Sequence, residues 1–112
     1  MIIYLAGPYG NRAEGKKRAN LVRAWRVAKI LWGKGYVVIS PHLNSAYMDE
    51  DIPEVRFSAG YLQVLSFCDA LFRLPGKSPG TEAEVAAARR WCIPVYTSIA
   101  RLERRECDSG RG

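Results

Sequence analysis

Three acids stand around one short loop of this chain. Residues 68–88 read Cys-Asp-Ala-Leu-Phe-Arg-Leu-Pro-Gly-Lys-Ser-Pro-Gly-Thr-Glu-Ala-Glu-Val-Ala-Ala-Ala, placing Asp69 before an apolar run and Glu82 and Glu84 after a loop of Gly, Ser and Pro. A carboxylate can attack an electrophilic carbon or move a proton. A glycine-bearing loop that opens a helix offers unpaired N–H groups and the positive end of the helix dipole, which together favour phosphate or another anion. An acid in the first turn repels a phosphate placed too near it. The combination points to a substrate with a phosphate at one end and a carbon attackable by a carboxylate at the other. Thr81 and Glu84 also have the Thr-x-x-Glu spacing of a capping box, so a purely structural role for Glu84 stands beside the chemical one.

The elements that must position these residues can be read from periodicity. Ala70 to Leu74 is a short buried strand, and Pro79 suits the first turn of a helix running to about Trp91. Ile2 to Ala6 is a first strand that breaks at Gly7-Pro8-Tyr9-Gly10. From about Arg12 to Trp32, Leu21, Trp25, Ala28 and Leu31 or Trp32 recur at helical spacing, which predicts an amphipathic helix ended by Gly33 and Gly35. Tyr36 to Ile39 is a second strand. Pro41 to Ser58 is expected to be the longest irregular stretch and a candidate lid, within which Asp49 to Asp51 is read in preference as an acidic surface turn. A helix beginning near Pro53 should turn Tyr61, Leu62 and Leu65 inward, Ile93 to Tyr96 should form a fourth strand, and Ile99 to Arg105 one or two helical turns.

Alternating strands and helices predict an α/β fold: a three-layer Rossmann- or flavodoxin-like parallel sheet of four to five strands with helices on both faces. Ligands in such sheets sit beyond the carboxyl ends of the strands. Gly7, Pro8 and Tyr9, then His42 and Asn44, then Gly76, Ser78, Gly80, Thr81 and Glu84 should therefore converge on one pocket. Tyr4, at the heart of the first strand, supplies a hydroxyl near it or serves as a core aromatic.

With 112 residues the chain is one domain, read as residues 1–98 with a short helical turn and flexible tail over 99–112, and a deep site is expected to need a neighbouring copy. Hydrophobic content of 48% and charged content of 25% exclude disorder as the main reading. No apolar run reaches the ~20 residues that span a bilayer, which predicts a cytoplasmic protein without a membrane anchor. Three cysteines, Cys68, Cys92 and Cys107, lack metal-ligand spacing and read as reduced thiols, two buried and one in the tail. With one histidine, no metal and no cofactor is expected. The net charge of +6 is dispersed, mostly along one helical segment, so it reads as a solvated face and a nucleic-acid polymer is not the expected partner.

Ile3-Tyr4-Leu5-Ala6-Gly7-Pro8, Cys68-Asp69-Ala70-Leu71 and Ser78-Pro79-Gly80-Thr81-Glu82-Ala83-Glu84 resemble the nucleoside 2-deoxyribosyltransferase superfamily over roughly residues 2 to 96. The likeness is to its short members, often found in phages, and to nucleoside 5′-monophosphate N-glycosidases. The resemblance implies cleavage of the N-glycosidic bond of a small nucleoside or nucleotide, with the sugar passed to water or to another base, in a homo-oligomer. It implies Glu84 as nucleophile, Asp69 as the acid that positions the sugar or helps protonate the departing base, Tyr4 as the tyrosine beside the catalytic carboxylate, and Gly7, Ser78 and Gly80 as loop contacts. Glu82 matches no family role. Pro75-Gly76 with Gly80-Thr81-x-x-Glu84 is also similar to the lysine-decarboxylase-like phosphoribohydrolases, and a non-catalytic nucleotide-sensing module is the third reading.

Overall fold

A computed structural model describes residues 1–9 and 14–108 of the chain. Gly10, Arg12, the thiol of Cys107 and residues 109–112, named above, lie outside what it describes. In chain order the elements are β1 (Ile2–Ala6), α1 (Glu14–Gly33), β2 (Val37–Ile39), α2 (Pro41–Asn44), a 3-10 turn (Met48–Glu50), α3 (Glu54–Leu65), β3 (Ala70–Arg73), α4 (Pro79–Arg90), β4 (Val95–Tyr96) and α5 (Ile99–Asp108).

The four strands form one sheet in the order β2-β1-β3-β4, all neighbours parallel. β1 is central, and its pleat divides the core between two faces. Ile3 and Leu5 pack on one side with Ala24, Ala28 and Leu31 of α1 and Leu102 of α5. Tyr4 and Ala6 pack on the other with Leu65 of α3 and Val85, Ala87 and Ala88 of α4. This is the expected three-layer architecture, with four strands.

Several expectations about detail need correction. Residues 41–58 are not an irregular lid, because α2, the 3-10 turn and the start of α3 occupy most of them. The buried stripe of α1 is Ala24, Ala28 and Leu31, and Trp25 and Trp32 are each 53% exposed. Two apolar stripes one residue apart were available on this helix, and the small residues win because they let it lie close to the sheet. Cys92 is exposed rather than buried. α5 runs ten residues, longer than one or two turns. Among the described residues no helix is long and apolar enough to cross a membrane.

Two glycines fix how β1 and β3 end side by side. A Cβ on Gly7 would lie 2.8 Å from Leu74 Cβ, so only glycine allows the first loop to cross the end of β3. Gly76 sits at φ +117, and a Cβ there would meet Pro8 Cγ at 2.7 Å.

Candidate functional site

The helix that follows β3 opens at Ser78, whose extended backbone and side chain cap it, Oγ accepting from the Thr81 N–H at 3.4 Å. Pro79 fills the first helical position. The cap is therefore Ser78 and not Thr81, which lies inside the helix, 1% exposed, with no hydrogen-bond partner for its hydroxyl among the described residues. Glu84 is thereby released from a capping box. It lies a turn further on, where the Tyr4 hydroxyl donates to Glu84 Oε2 across the face of the sheet.

Burial governs both members of this pair. Desolvation raises the Glu84 carboxyl above the usual carboxylate range, and the hydrogen bond from Tyr4 pulls it part of the way back. Tyr4, wholly buried, is pushed upward first by desolvation and then by the charge and hydrogen bond of Glu84. The proton stays on the phenol, and Glu84 is the group that can present a negative oxygen.

Glu84 forms part of the wall of a cavity of about 140 Å³ at the carboxyl ends of the strands. The first loop contributes Gly7 and Tyr9, the region after β2 contributes Pro41, His42, Ser45 and Asp49, and α4 contributes Ser78, Gly80 and Thr81. The His42 ring stacks on Tyr9 with centroids 5.5 Å apart and planes 15° from parallel. Burial lowers the His42 pKa to about 4, against a smaller upward pull from the Gly7 backbone, so the ring is neutral at pH 7. Tyr9 Oη donates to Asp49 Oδ1 at 3.0 Å and accepts from the Tyr47 N–H at 2.7 Å. Lys17 Nζ reaches Asp49 Oδ2 at 3.1 Å. Desolvation pulls the Asp49 carboxyl up, but the hydrogen bonds from Lys17 and Tyr9 outweigh it and hold it below the usual range.

One face of α3 closes the cavity with Glu54, Phe57, Ser58 and Tyr61. The Phe57 and Tyr61 rings are stacked 6.5 Å apart. Tyr61 Oη accepts from Asn44 Nδ2 at 2.9 Å and donates to Ser45 Oγ at 2.9 Å, tying α3 to the turn that carries His42. These α3 residues are spaced i, i+3, i+4, i+7, a signal present in the sequence. It is a weak signal because the stripe mixes an acid, a hydroxyl and two aromatics instead of being apolar.

Of the residues singled out from sequence, Gly7, Tyr9, His42, Ser78, Gly80, Thr81 and Glu84 line the cavity, and Tyr4 reaches it through Glu84. Pro8 and Gly76 pack on each other, and Asn44 is turned to Tyr61. Asp69 does not join them. Its Oδ2 accepts from the Ile2 N–H at 2.6 Å and its own N–H donates to the Ile2 carbonyl at 2.8 Å, so it stitches β3 to β1 at their amino ends. The cavity that Glu84 helps to line opens beyond the other, carboxyl ends of these strands. The expected acid role for Asp69 is thus corrected by the parallel direction of the strands. Among the described residues no cluster of three or more His, Cys, Asp or Glu side chains could hold a metal ion.

No family model matches the chain, and no curated protein does. Among solved structures it is similar to a 2-deoxyribosyltransferase from the psychrotolerant bacterium Bacillus psychrosaccharolyticus, described as a biocatalyst for the synthesis of antiviral and antitumoral nucleosides. The TM-score is 0.60 at 23% identity, over 85% of this chain and 69% of that one. The likeness is one of fold.

Proposed function

We propose that the cavity binds a nucleoside or nucleoside 5′-monophosphate and that Glu84 cleaves its N-glycosidic bond. The observation that carries this reading is the desolvated Glu84 carboxylate, held by the buried Tyr4 hydroxyl in the wall of a cavity at the carboxyl ends of the strands. The fold shared with a 2-deoxyribosyltransferase supports it, as does the resemblance of the Tyr4-x-x-Gly7 and Ser78-x-Gly80-x-x-x-Glu84 motifs. A Glu84 oxygen attacks C1′ of the sugar while the bond from C1′ to the base breaks. The resulting glycosyl ester is resolved by water or by a second base. Tyr4 steers the carboxylate. Ser78, Gly80 and Thr81 hold the 5′ end at the opening of α4, where backbone N–H groups and the otherwise unpartnered Thr81 hydroxyl are on offer. The Tyr9 and His42 rings flank the base.

The same reading includes a homo-oligomer, supported by Val55 and Phe67, 74% and 83% exposed on and just beyond α3. Light scattering checks this, with a monomer at micromolar concentration counting against it. For the chemistry, the protein is incubated with a panel of nucleosides and 5′-monophosphates, ribo and deoxyribo, with Glu84→Ala as control. Free base is expected from at least one of them and none from the variant. Release that persists in the variant removes Glu84 as the nucleophile.

A further inference from the structure

The cavity is walled by aromatic and acidic side chains. Its walls carry two stacked ring pairs, Tyr9 with His42 and Phe57 with Tyr61. Three carboxylates face it, those of Asp49, Glu54 and Glu84, and no lysine or arginine lines it among the described residues. The chain as a whole has a net charge of +6, so the local sign runs against the molecule. Lys17 Nζ, 3.1 Å from Asp49 Oδ2 and 5.3 Å from the Tyr9 ring centroid, offsets the negative charge on that side, so the Glu54 and Glu84 carboxylates and the Phe57–Tyr61 pair are what the rest of the wall offers a cation. Aromatic faces and uncompensated carboxylates both attract a delocalised cation, and both interactions strengthen as water is excluded.

A second observation concerns proton supply. A neutral base leaves as an anion unless an acid protonates it. Asp69, the acid read from sequence for that task, lies at the other end of the strands. Asp49 is committed to Lys17 and Tyr9, and Glu54 is exposed in the first turn of α3.

We propose that this cavity selects N-glycosides whose base is cationic, a pyridinium or a 7-alkylated purinium, over neutral nucleosides. This rests on the glycosidic reading above. When Glu84 forms its bond to C1′, the electron pair of the breaking C1′–N bond moves onto the ring and cancels its charge, so the base departs neutral and no proton is delivered. Water then attacks the ester, returns Glu84 as a carboxylate, and releases free sugar and one proton. Such a substrate needs no general acid from the described residues of the cavity wall.

Two measurements on the intact protein test this. Binding of 1-methylnicotinamide and nicotinamide is compared by calorimetry, and the cation is expected to bind about tenfold tighter. Glu54→Gln is expected to cut that preference about threefold. Base release from 7-methylguanosine and guanosine, and from N-ribosylnicotinamide, is compared after dividing each rate by its spontaneous hydrolysis, and the cationic substrates should retain an advantage. Equal binding of the two nicotinamides, or equal corrected rates, overturns the charge selection, and base release from neutral nucleosides would leave the glycosidase reading standing. A clear preference for 1-methylnicotinamide with no base released from any substrate upholds the charge selection and removes the glycosidase reading.

Discussion

Asp69 and Glu84 flank the same strand, and both accept a hydrogen bond from β1 or its side chains, yet their situations differ. Asp69 takes the Ile2 backbone N–H at the amino ends of the strands, open to solvent. Glu84 takes the Tyr4 phenol on the buried face, at the carboxyl ends, and burial raises its pKa. In a parallel sheet the amino ends are where chains enter and are stitched together, and the carboxyl ends are where loops diverge to leave a hollow. An acid at the first lip keeps its water and ties two strands together; the same chemical group at the second has lost that water, and its pKa rises.

The sharpest way to break this contrast is to neutralise each acid in turn. Glu84→Gln should lower base release about a thousandfold or more while leaving the melting temperature unchanged or raised, since a desolvated charge is removed and the Tyr4 bond retained. Tyr4→Phe comes next, with about a tenfold loss at neutral pH. Its pH profile carries the sign. The Tyr4 bond lowers the Glu84 pKa, and attack needs the carboxylate, so kcat/KM falls as pH drops through that pKa, and the acidic limb should move to higher pH in the variant. An unmoved limb separates Tyr4 from the nucleophile. Asp69→Ala should do the reverse of Glu84→Gln: base release unchanged, but a loss of about 1 kcal/mol, seen as a melting temperature roughly 5 °C lower.

Two smaller effects sharpen the comparison. His42 falls from 6.5 to about 4 on folding, so the unfolded chain binds more protons between those values. The stability it contributes is present above about pH 6.5 and is lost as pH falls toward 4. His42→Asn should flatten the dependence of the urea midpoint across that window. The Arg73–Glu82 ion pair, with Glu82 57% exposed, is the smallest case. Glu82→Gln should change stability by no more than about 0.5 kcal/mol and leave base release untouched.

Local signals made much of this legible in the sequence. The strand, the Gly-Ser-Pro loop and the helix of residues 70–90 announce themselves through a short apolar run, turn residues and alanine, and their alternation with other elements specifies a parallel three-layer sheet. That in turn places the loops after β1, β2 and β3 at one lip, so the sequence by itself groups Gly7, Tyr9, His42 and Gly80. The α3 face of Glu54, Phe57, Ser58 and Tyr61 escaped, because a cavity wall of mixed polarity has no hydrophobic period to betray it.

Three matters were decided only by the tertiary structure. Thr81 and Glu84 have capping-box spacing, but Ser78 takes the cap and Tyr4, 80 residues away in sequence, takes Glu84. Asp69 looks like a partner for Glu84 in a motif, and the direction of the strand sends it to the far lip. Trp25 looks like core, and the closer packing of Ala24 and Ala28 leaves it outside. Each depends on contacts between residues distant along the chain, whose energies exceed a local preference of about 1 kcal/mol; sequence spacing can propose such a contact, and only the packed fold selects it.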